Sequence, residues 1–285
     1  MTDSTQAPFT LRDGLNIALF DWPLQHRRRP RGVVVIVHGL GEHAWRYDVL
    51  AERLNEWGFH VRSYDQRGHG SSGGARGVLP SDDALLDDLR EILDDTRSHL
   101  TEPWACPLIL FGHSMGGLIA ATWVQRGLGP VDKLVLSSPA LDAGIKPMMK
   151  TLVGLLLRWA PNLALGNGLD VNALSHDEAV VAAYQKDPLV HDRISARLAH
   201  FIDSNGPPVL AAAPQWKVPT LLLYAGDDRL VKPQGSRAFA DAAPSGVVTS
   251  RCLEGQYHEI FNEADPSQAY EALKTWLAAQ VSVSA

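Results

Sequence analysis

Gly112-His113-Ser114-Met115-Gly116-Gly117 sets a serine between glycines two residues to either side. The apolar run Leu108 to Phe111 precedes it, and a helical pattern from Met115 to Arg126, closed by Gly127, follows. Glycine on both sides permits a sharp strand-to-helix turn in which side chains would collide with neighbouring backbone. Such a turn lifts the serine oxygen above the carboxyl edge of a sheet. It also aims the Met115 N–H, at a helix start, toward developing negative charge. That chemistry is nucleophilic attack on an acyl carbon. The competing reading, a glycine-rich turn with an incidental serine, explains neither the strand before it nor the helix after it.

A serine hydroxyl needs a base, and the base an orienting carboxylate, here expected in the chain order serine, acid, histidine. After the strand-like Thr220 to Tyr224 come Gly226-Asp227-Asp228-Arg229-Leu230-Val231, which put two acids at a strand's carboxyl end. Of the eleven histidines, His258 alone lies beyond these acids. It follows the strand-like Val247 to Leu253. The competing reading for His258 is a surface-loop histidine. Asp227 or Asp228 could serve as the acid, and the other could hold the turn through backbone N–H groups.

A second oxyanion donor belongs after the first buried strand. Val33 to Val37 runs into His38-Gly39-Leu40-Gly41-Glu42-His43, where flanking glycines leave Leu40 free to turn its N–H inward. His38 and His43 have no third metal ligand in pattern with them and read as histidines stitching loop backbone. Asp65-Gln66-Arg67-Gly68-His69-Gly70-Ser71-Ser72 lacks the Gly-Lys-Ser/Thr ending of a nucleotide loop and reads as a tight structural loop.

The elements that must position these groups alternate. The unbroken run Val33 to Val37 suits a strand buried on both faces, as do Leu108 to Phe111, Leu134 to Leu136 and Thr220 to Tyr224. Phe59 to Tyr64 alternates more. Helical patterns cover Arg46 to Trp57, ended by Gly58, and Ser81 to Leu100, where Leu85, Leu89, Ile92, Leu93 and Thr96 share a face. This is an α/β order: a mostly parallel sheet covered by helices on both sides. After Pro139 the alternation stops for roughly 75 residues, too long for an ordinary connection. Helical stretches at Pro147 to Trp159 and Ser175 to Lys186 make that segment an inserted helical cap. The expected division is therefore residues 1–138 and 216–285 for the core and 139–215 for the cap.

The chain has 285 residues, enough for one large core with an addition. A net charge of −6 disfavours a nucleic-acid partner, which needs a basic face. The basic stretch Arg27 to Arg31 contains Pro30 and reads as a solvated turn. Cys106 and Cys252 form no disulfide framework and read as reduced, buried thiols. Met1 to Pro8 lacks the pattern of a signal peptide, and no apolar run reaches the ~18 residues of a membrane span, so a soluble cytoplasmic protein is expected. Nothing in the sequence sets an oligomeric state.

Together these segments resemble the monoacylglycerol lipase and lysophospholipase branch of the α/β-hydrolases, among the serine aminopeptidase S33-type hydrolases. The resemblance rests on His38 to His43 with Arg46-Tyr47, Asp65 to Gly70, Gly112 to Gly117, Gly226 to Val231, Tyr257-His258, and Tyr184-Gln185-Lys186-Asp187-Pro188-Leu189. It spans nearly the whole chain. It implies an α/β-hydrolase fold and Asp228 as the acid, since that family's aspartate directly precedes the Arg-Leu pair. It also implies Leu40 and Met115 as oxyanion-hole residues, and Glu42, Arg46 and Tyr184 at the polar end of an acyl-glycerol pocket. Glu42 and Arg46 could equally brace the loop.

The implied activity is ester hydrolysis of a small lipid ester, monoacylglycerol first, with no metal or organic cofactor. Lysophospholipids or general carboxylic esters are the alternative substrates. Dehalogenases carry aspartate at the elbow, so Ser114 counts against them. A cofactor-free haloperoxidase uses the same triad, and a non-catalytic ligand-binding relative would show a broken one. Met148, Met149, Leu152, Val153, Leu155, Leu156, Leu157 and Trp159 make the first cap helix apolar, interrupted by Lys150 and Arg158. It reads either as a lid that touches lipid surfaces, peripheral to a membrane, or as a helix packed on the main domain.

Overall fold

The β-branched run after Arg31 has no polar face to offer water, and it lies at the centre of the sheet. In the computed structural model, which describes residues 4–24 and 28–281, the strands are β1 (Thr5–Thr10), β2 (Asn16–Trp22), β3 (Gly32–Val37), β4 (Phe59–Tyr64), β5 (Leu108–His113), β6 (Lys133–Ser137), β7 (Ala164–Gly166), β8 (Arg193–Ser195), β9 (Thr220–Ala225) and β10 (Val248–Leu253). The helices are α1 (Asp48–Glu56), α2 (Ala84–Thr96), α3 (Met115–Gln125), α4 (Pro147–Trp159), α5 (Glu178–Lys186), α6 (Ala196–Ala212), α7 (Pro233–Ala242) and α8 (Ser267–Gln280). Eight strands form one sheet in the order β1-β2-β4-β3-β5-β6-β9-β10. From β4 to β10 neighbours are parallel, while β1–β2 and β2–β4 are antiparallel.

Every residue of β3 is buried. Val34 and Ile36 face a core shared with Leu50 and Leu54 of α1 and Leu273 and Trp276 of α8. Val35 and Val37 face the opposite core, with Leu89 of α2, Leu118 of α3 and Phe239 of α7. One strand thus joins two apolar layers, which is why its sequence does not alternate. The chain leaves β3 toward β4 on one side and returns to β5 on the other. The crevice at the carboxyl ends of β3 and β5 is therefore the switch point where open α/β sheets bind ligands.

Residues 138–219 leave the sheet. They hold α4, the short antiparallel pair β7–β8, α5 and α6. The last of these buries Leu198, Phe201, Ile202 and Val209 in the same core as α3, whereas α4 has no buried residue. α6 contains Gly206-Pro207-Pro208, a breaker in sequence terms. Glycine is required there because a Cβ would stand 2.2 Å from the Leu141 carbonyl oxygen.

Several sequence expectations shift. The helix expected from Arg46 opens as a 3-10 turn over Ala44–Tyr47 before α1. The one expected over Ser81 to Leu100 begins at Ala84 and ends in a π turn, Arg97–Thr101. Neither β1 nor β2 has a strong enough pattern to be read beforehand; β1 is an edge strand exposed along almost its whole length. Phe59 to Tyr64 is buried save for a half-buried His60, despite its mixed sequence, because Arg62 is neutralised by Asp21 and Asp95. Cys106 and Cys252 are free but only half-buried, the latter on edge strand β10. Arg31 is a brace, not a solvated turn residue. Its guanidinium donates to the Trp57 and Val281 carbonyls and lies over the Phe59 ring. Arg27, at the head of that basic stretch, and Met1 to Asp3 of the N-terminal segment lie outside the described residues.

Candidate active site

β5 ends at His113 and α3 begins at Met115, so a single residue makes the turn. Ser114 adopts φ 53°, ψ −119°, a backbone state that costs a non-glycine residue on the order of 1–3 kcal/mol. The flanking glycines make it attainable. A Cβ at Gly116 would lie 2.0 Å from the Val37 carbonyl oxygen, and one at Gly112 would lie 2.3 Å from that of Gly116. The turn is pinned by the Ser114 N–H donating to the Ser137 carbonyl (2.9 Å) and by the Ser114 carbonyl accepting from the Leu118 and Ala140 N–H groups (3.1 and 3.0 Å).

His258 follows β10 in a loop and is buried. Its Nδ1 stands 2.6 Å from Asp228 Oδ2. The other oxygen, Oδ1, accepts from the Leu230 and Val231 N–H groups (2.9 and 3.0 Å). One carboxylate therefore both meets the histidine and holds the turn, two tasks the sequence divides between neighbours; Asp227 is exposed. Burial opposes charge on both partners. Their mutual attraction and hydrogen bond outweigh it, so the Asp228 carboxyl lies below its ordinary range and the His258 imidazole above its own, helped by the charges of Glu259 and Glu42.

The loop after β3 is a rigid network. His38 Nε2 accepts from the Gln66 N–H (2.9 Å), which leaves the proton on Nδ1 to donate to the Gly39 carbonyl (2.7 Å). Burial lowers the pKa of this ring against the charges of Glu42 and Asp65. Buried Glu42 accepts from the Gly39 N–H (2.6 Å), the Tyr47 hydroxyl (2.6 Å) and Arg46 Nη1 (2.7 Å). Burial would raise its pKa, but the charge of Arg46 leads a set of interactions that pull it down to about 2. Leu40 stands between Gly39 and Gly41 on this scaffold. Met115, as the first residue of α3, has no intrahelical acceptor for its N–H.

Ser114, His258, Leu40 and Met115 all line one cavity of about 180 Å³. Its wall is apolar, formed by residues such as Ile145, Leu174, Ile194, Ile202 and Val231, with Glu42, Tyr184 and Glu259 as polar points. Arg46 does not line it. The guanidinium lies behind Glu42 in a much smaller recess, paired bidentately with Glu259 (2.6 and 2.8 Å), and covers the Tyr184 ring at 4.6 Å. His113 also lines the cavity, its ring 4.8 Å from that of His258. Burial, then repulsion from His258, lowers its pKa to about 4.

The sequence does not reveal which distant residues hold these loops. Asp187 accepts from His43 Nε2 at 2.8 Å, and the His191 N–H donates to the Gly41 carbonyl at 2.9 Å, so the segment after α5 clasps the loop after β3. The Glu259 N–H donates to the Leu174 carbonyl at 2.8 Å. Asp187 falls in the Asp-Pro-Leu match; Glu259 and Glu263 carry only the weak signal of lying just after His258. Among the described residues no cluster of His, Cys, Asp and Glu could hold a metal ion.

A mostly parallel sheet with a strand-turn-helix serine at its switch point is the α/β-hydrolase fold. The family model described as serine aminopeptidase, S33 matches residues 28–265, and the chain belongs to this family of hydrolases. A monoacylglycerol lipase of Mycolicibacterium smegmatis is 36% identical over 255 residues, covering 87% of this chain and 88% of the relative. The phospholipase YtpA of Bacillus subtilis is 35% identical over 257 residues, 87% of this chain and 95% of that one. Among solved structures, the monoacylglycerol lipase of Paleococcus ferrophilus superposes with a TM-score of 0.81 at 33% identity, covering 98% of this chain and 99% of its own.

Proposed function

We propose that the protein cleaves carboxylic esters, monoacylglycerols first among them, to a fatty acid and glycerol. The observation that carries this reading is the 2.6 Å contact of His258 Nδ1 with Asp228 Oδ2, set beside Ser114 on an apolar cavity. With Nδ1 committed to Asp228, Nε2 is the nitrogen free to take the Ser114 proton as Oγ attacks the ester carbonyl. The Leu40 and Met115 N–H groups stabilise the oxyanion. His258 then protonates the departing alcohol oxygen, leaving an acyl-enzyme. Water, deprotonated by the same ring, attacks the acyl carbon, and the acid leaves as the proton returns to Ser114. Glu42 and Tyr184 line the cavity and present polar groups to a glycerol moiety. Arg46 contributes by holding Glu42 and Glu259.

Residues 139–215 act as the cap over this cleft, rooted through α6 in the main core. The face of α4 supports lipid contact: Met148, Leu155 and Trp159 are 78%, 58% and 74% exposed, flanked by Lys150 and Arg158. Exposed apolar side chains beside the cation of Arg158 suit the boundary of an anionic lipid surface. Among the described residues no helix is long and apolar enough to cross a membrane. A second reading, a phospholipid or lysophospholipid ester as substrate, is favoured by the similarity to the Bacillus phospholipase.

A fluorophosphonate probe should label Ser114 stoichiometrically, and Ser114→Ala should fold yet lose hydrolysis by roughly 10⁴-fold or more. Turnover retained in that variant would sink the assignment. Rates on monoacylglycerols, lysophospholipids and p-nitrophenyl esters of graded chain length separate the two substrate readings. A preference for short acyl chains without glycerol would defeat the first.

A further inference from the structure

His258 lies between two backbone N–H groups, each held from outside its immediate turn. Behind it, the Glu259 N–H donates to the Leu174 carbonyl. Ahead of it, the Tyr257 N–H donates to the carboxylate of Glu263. Glu263 is 6% exposed and accepts further bonds from the His176 N–H (3.0 Å), His176 Nδ1 (2.9 Å) and the Ala264 N–H (3.2 Å), while the Ser175 hydroxyl beside it donates to the Asn262 carbonyl (2.8 Å). A carboxylate withdrawn from water to this degree persists only where donors compensate it, and these donors come from two separate stretches of chain. One is the histidine loop. The other is His176, at the approach to α5.

The rings repeat the connection. His176 stacks on Tyr257 with centroids 3.6 Å apart, and the Arg229 guanidinium lies 4.5 Å from the Tyr257 centroid. Tyr257 precedes the histidine and Arg229 follows Asp228, so the neighbours of the two partners touch one another. Burial would raise the Glu263 pKa, but the hydrogen bonds from Tyr257 and His176 lower it, so the group stays charged wherever His258 titrates. Glu263 does not line the cavity and so has no contact with a substrate held there.

We propose that Glu263 is a positioning residue for His258: with the Leu174 carbonyl it fixes the histidine loop so that Nδ1 meets Asp228, and through His176 it makes the cap a structural part of that alignment. This rests on the reading of His258 as the base.

The test is Glu263→Gln, with activity normalised to the sites that a fluorophosphonate probe labels. The expected result is a 10- to 100-fold lower kcat with KM within about twofold. The acid limb of the kcat/KM profile should move to lower pH, because a loosened Asp228 contact no longer raises the His258 pKa against burial; Glu42, Glu259 and His113, the other groups facing that ring, are untouched. A lower Tm with kcat per labelled site and acid limb unchanged would show a merely structural carboxylate and overturn the proposal. Should Glu263→Gln fail to fold, His176→Ala removes one donor and the ring stack at a half-exposed position. It should shift kcat and the limb in the same direction by a smaller amount, and an unshifted limb is again fatal. An unlabelled wild-type Ser114 would instead defeat the underlying mechanism, so the two failures are distinguishable.

Discussion

At the scale of single residues, strain and charge concentrate on a few side chains. Ser114 holds a positive φ that only its surroundings enforce, and His258 is a buried imidazole whose pKa is nevertheless raised. The raised value fixes a sign. Burial lowers the pKa, and the charge and hydrogen bond of Asp228 more than reverse this, so the ring titrates above the ordinary histidine value of about 6.5. A general base must be neutral. The rate should therefore fall as pH drops through an apparent pKa above about 6.5, measured as kcat/KM on a soluble ester. The same shift makes the histidine's contribution to stability complete below that ordinary value and lost as pH rises through the folded pKa. Asp228→Asn should lower the rate on the order of 10⁴-fold and move the acid limb down; a limb left in place would mean that another group titrates. Chain order pointed to His258, but it could not separate Asp227 from Asp228, because both follow the same strand. Only the direction each side chain takes after β9 distinguishes them, and a resemblance supplied that in advance.

Between elements, the loops that carry Leu40 and His258 are held as much by the segment between β6 and β9 as by the sheet. Gly41 has φ +78°, and a Cβ there would lie 2.4 Å from the His191 carbonyl oxygen. Gly127 has a comparable φ of +62° with open space around it. The two form a matched pair for experiment. Gly127→Ala should lower stability by about 1 kcal/mol and leave kcat intact. Gly41→Ala should do more, displacing the loop that carries Leu40 and reducing kcat by up to ~10²–10³. Equal kcat in the two variants would show that the clasp on this loop has no bearing on turnover. Apolar runs made β3, β5, β6 and β9 legible in the sequence, because a strand buried on both faces has a continuous pattern. The clasps were not legible. His43 meets Asp187 across 144 residues and His176 meets Glu263 across 87, and no local pattern encodes partners at such separations.

Across the whole molecule, the segment between β6 and β9 presents two unlike surfaces. Toward the sheet it contributes Leu174, Ile194 and Ile202 to the cavity wall, together with the bonds to the loops around Leu40 and His258. Away from it, α4 turns Met148, Leu155 and Trp159 outward. The sequence leaves open whether this helix packs inward or faces outward, because its hydrophobicity alone suits either. Packing on one side against α6, with Lys150 paired to Asp203 at 2.7 Å, sets which face remains. Replacing Met148, Leu155 and Trp159 together by serine should reduce hydrolysis of monoacylglycerol presented in anionic vesicles about tenfold or more, given ~1.5–3 kcal/mol for each large apolar side chain that buries fully. Hydrolysis of a soluble p-nitrophenyl ester should be unaffected. A parallel loss on both substrates would place the helix in the active site's own architecture.

The distribution of those bonds also sets where this chain can be recombined with its relatives. Exchanging residues 146–160 swaps α4 alone and leaves Leu174, Ser175, His176, Asp187 and His191 in place against the loops that they hold. Exchanging 139–215 as a block removes all five at once, and the incoming segment must supply their replacements. The outward apolar face can thus be exchanged as a fifteen-residue module, while the cavity wall of Leu174, Ile194 and Ile202 stays with the loops around Leu40 and His258.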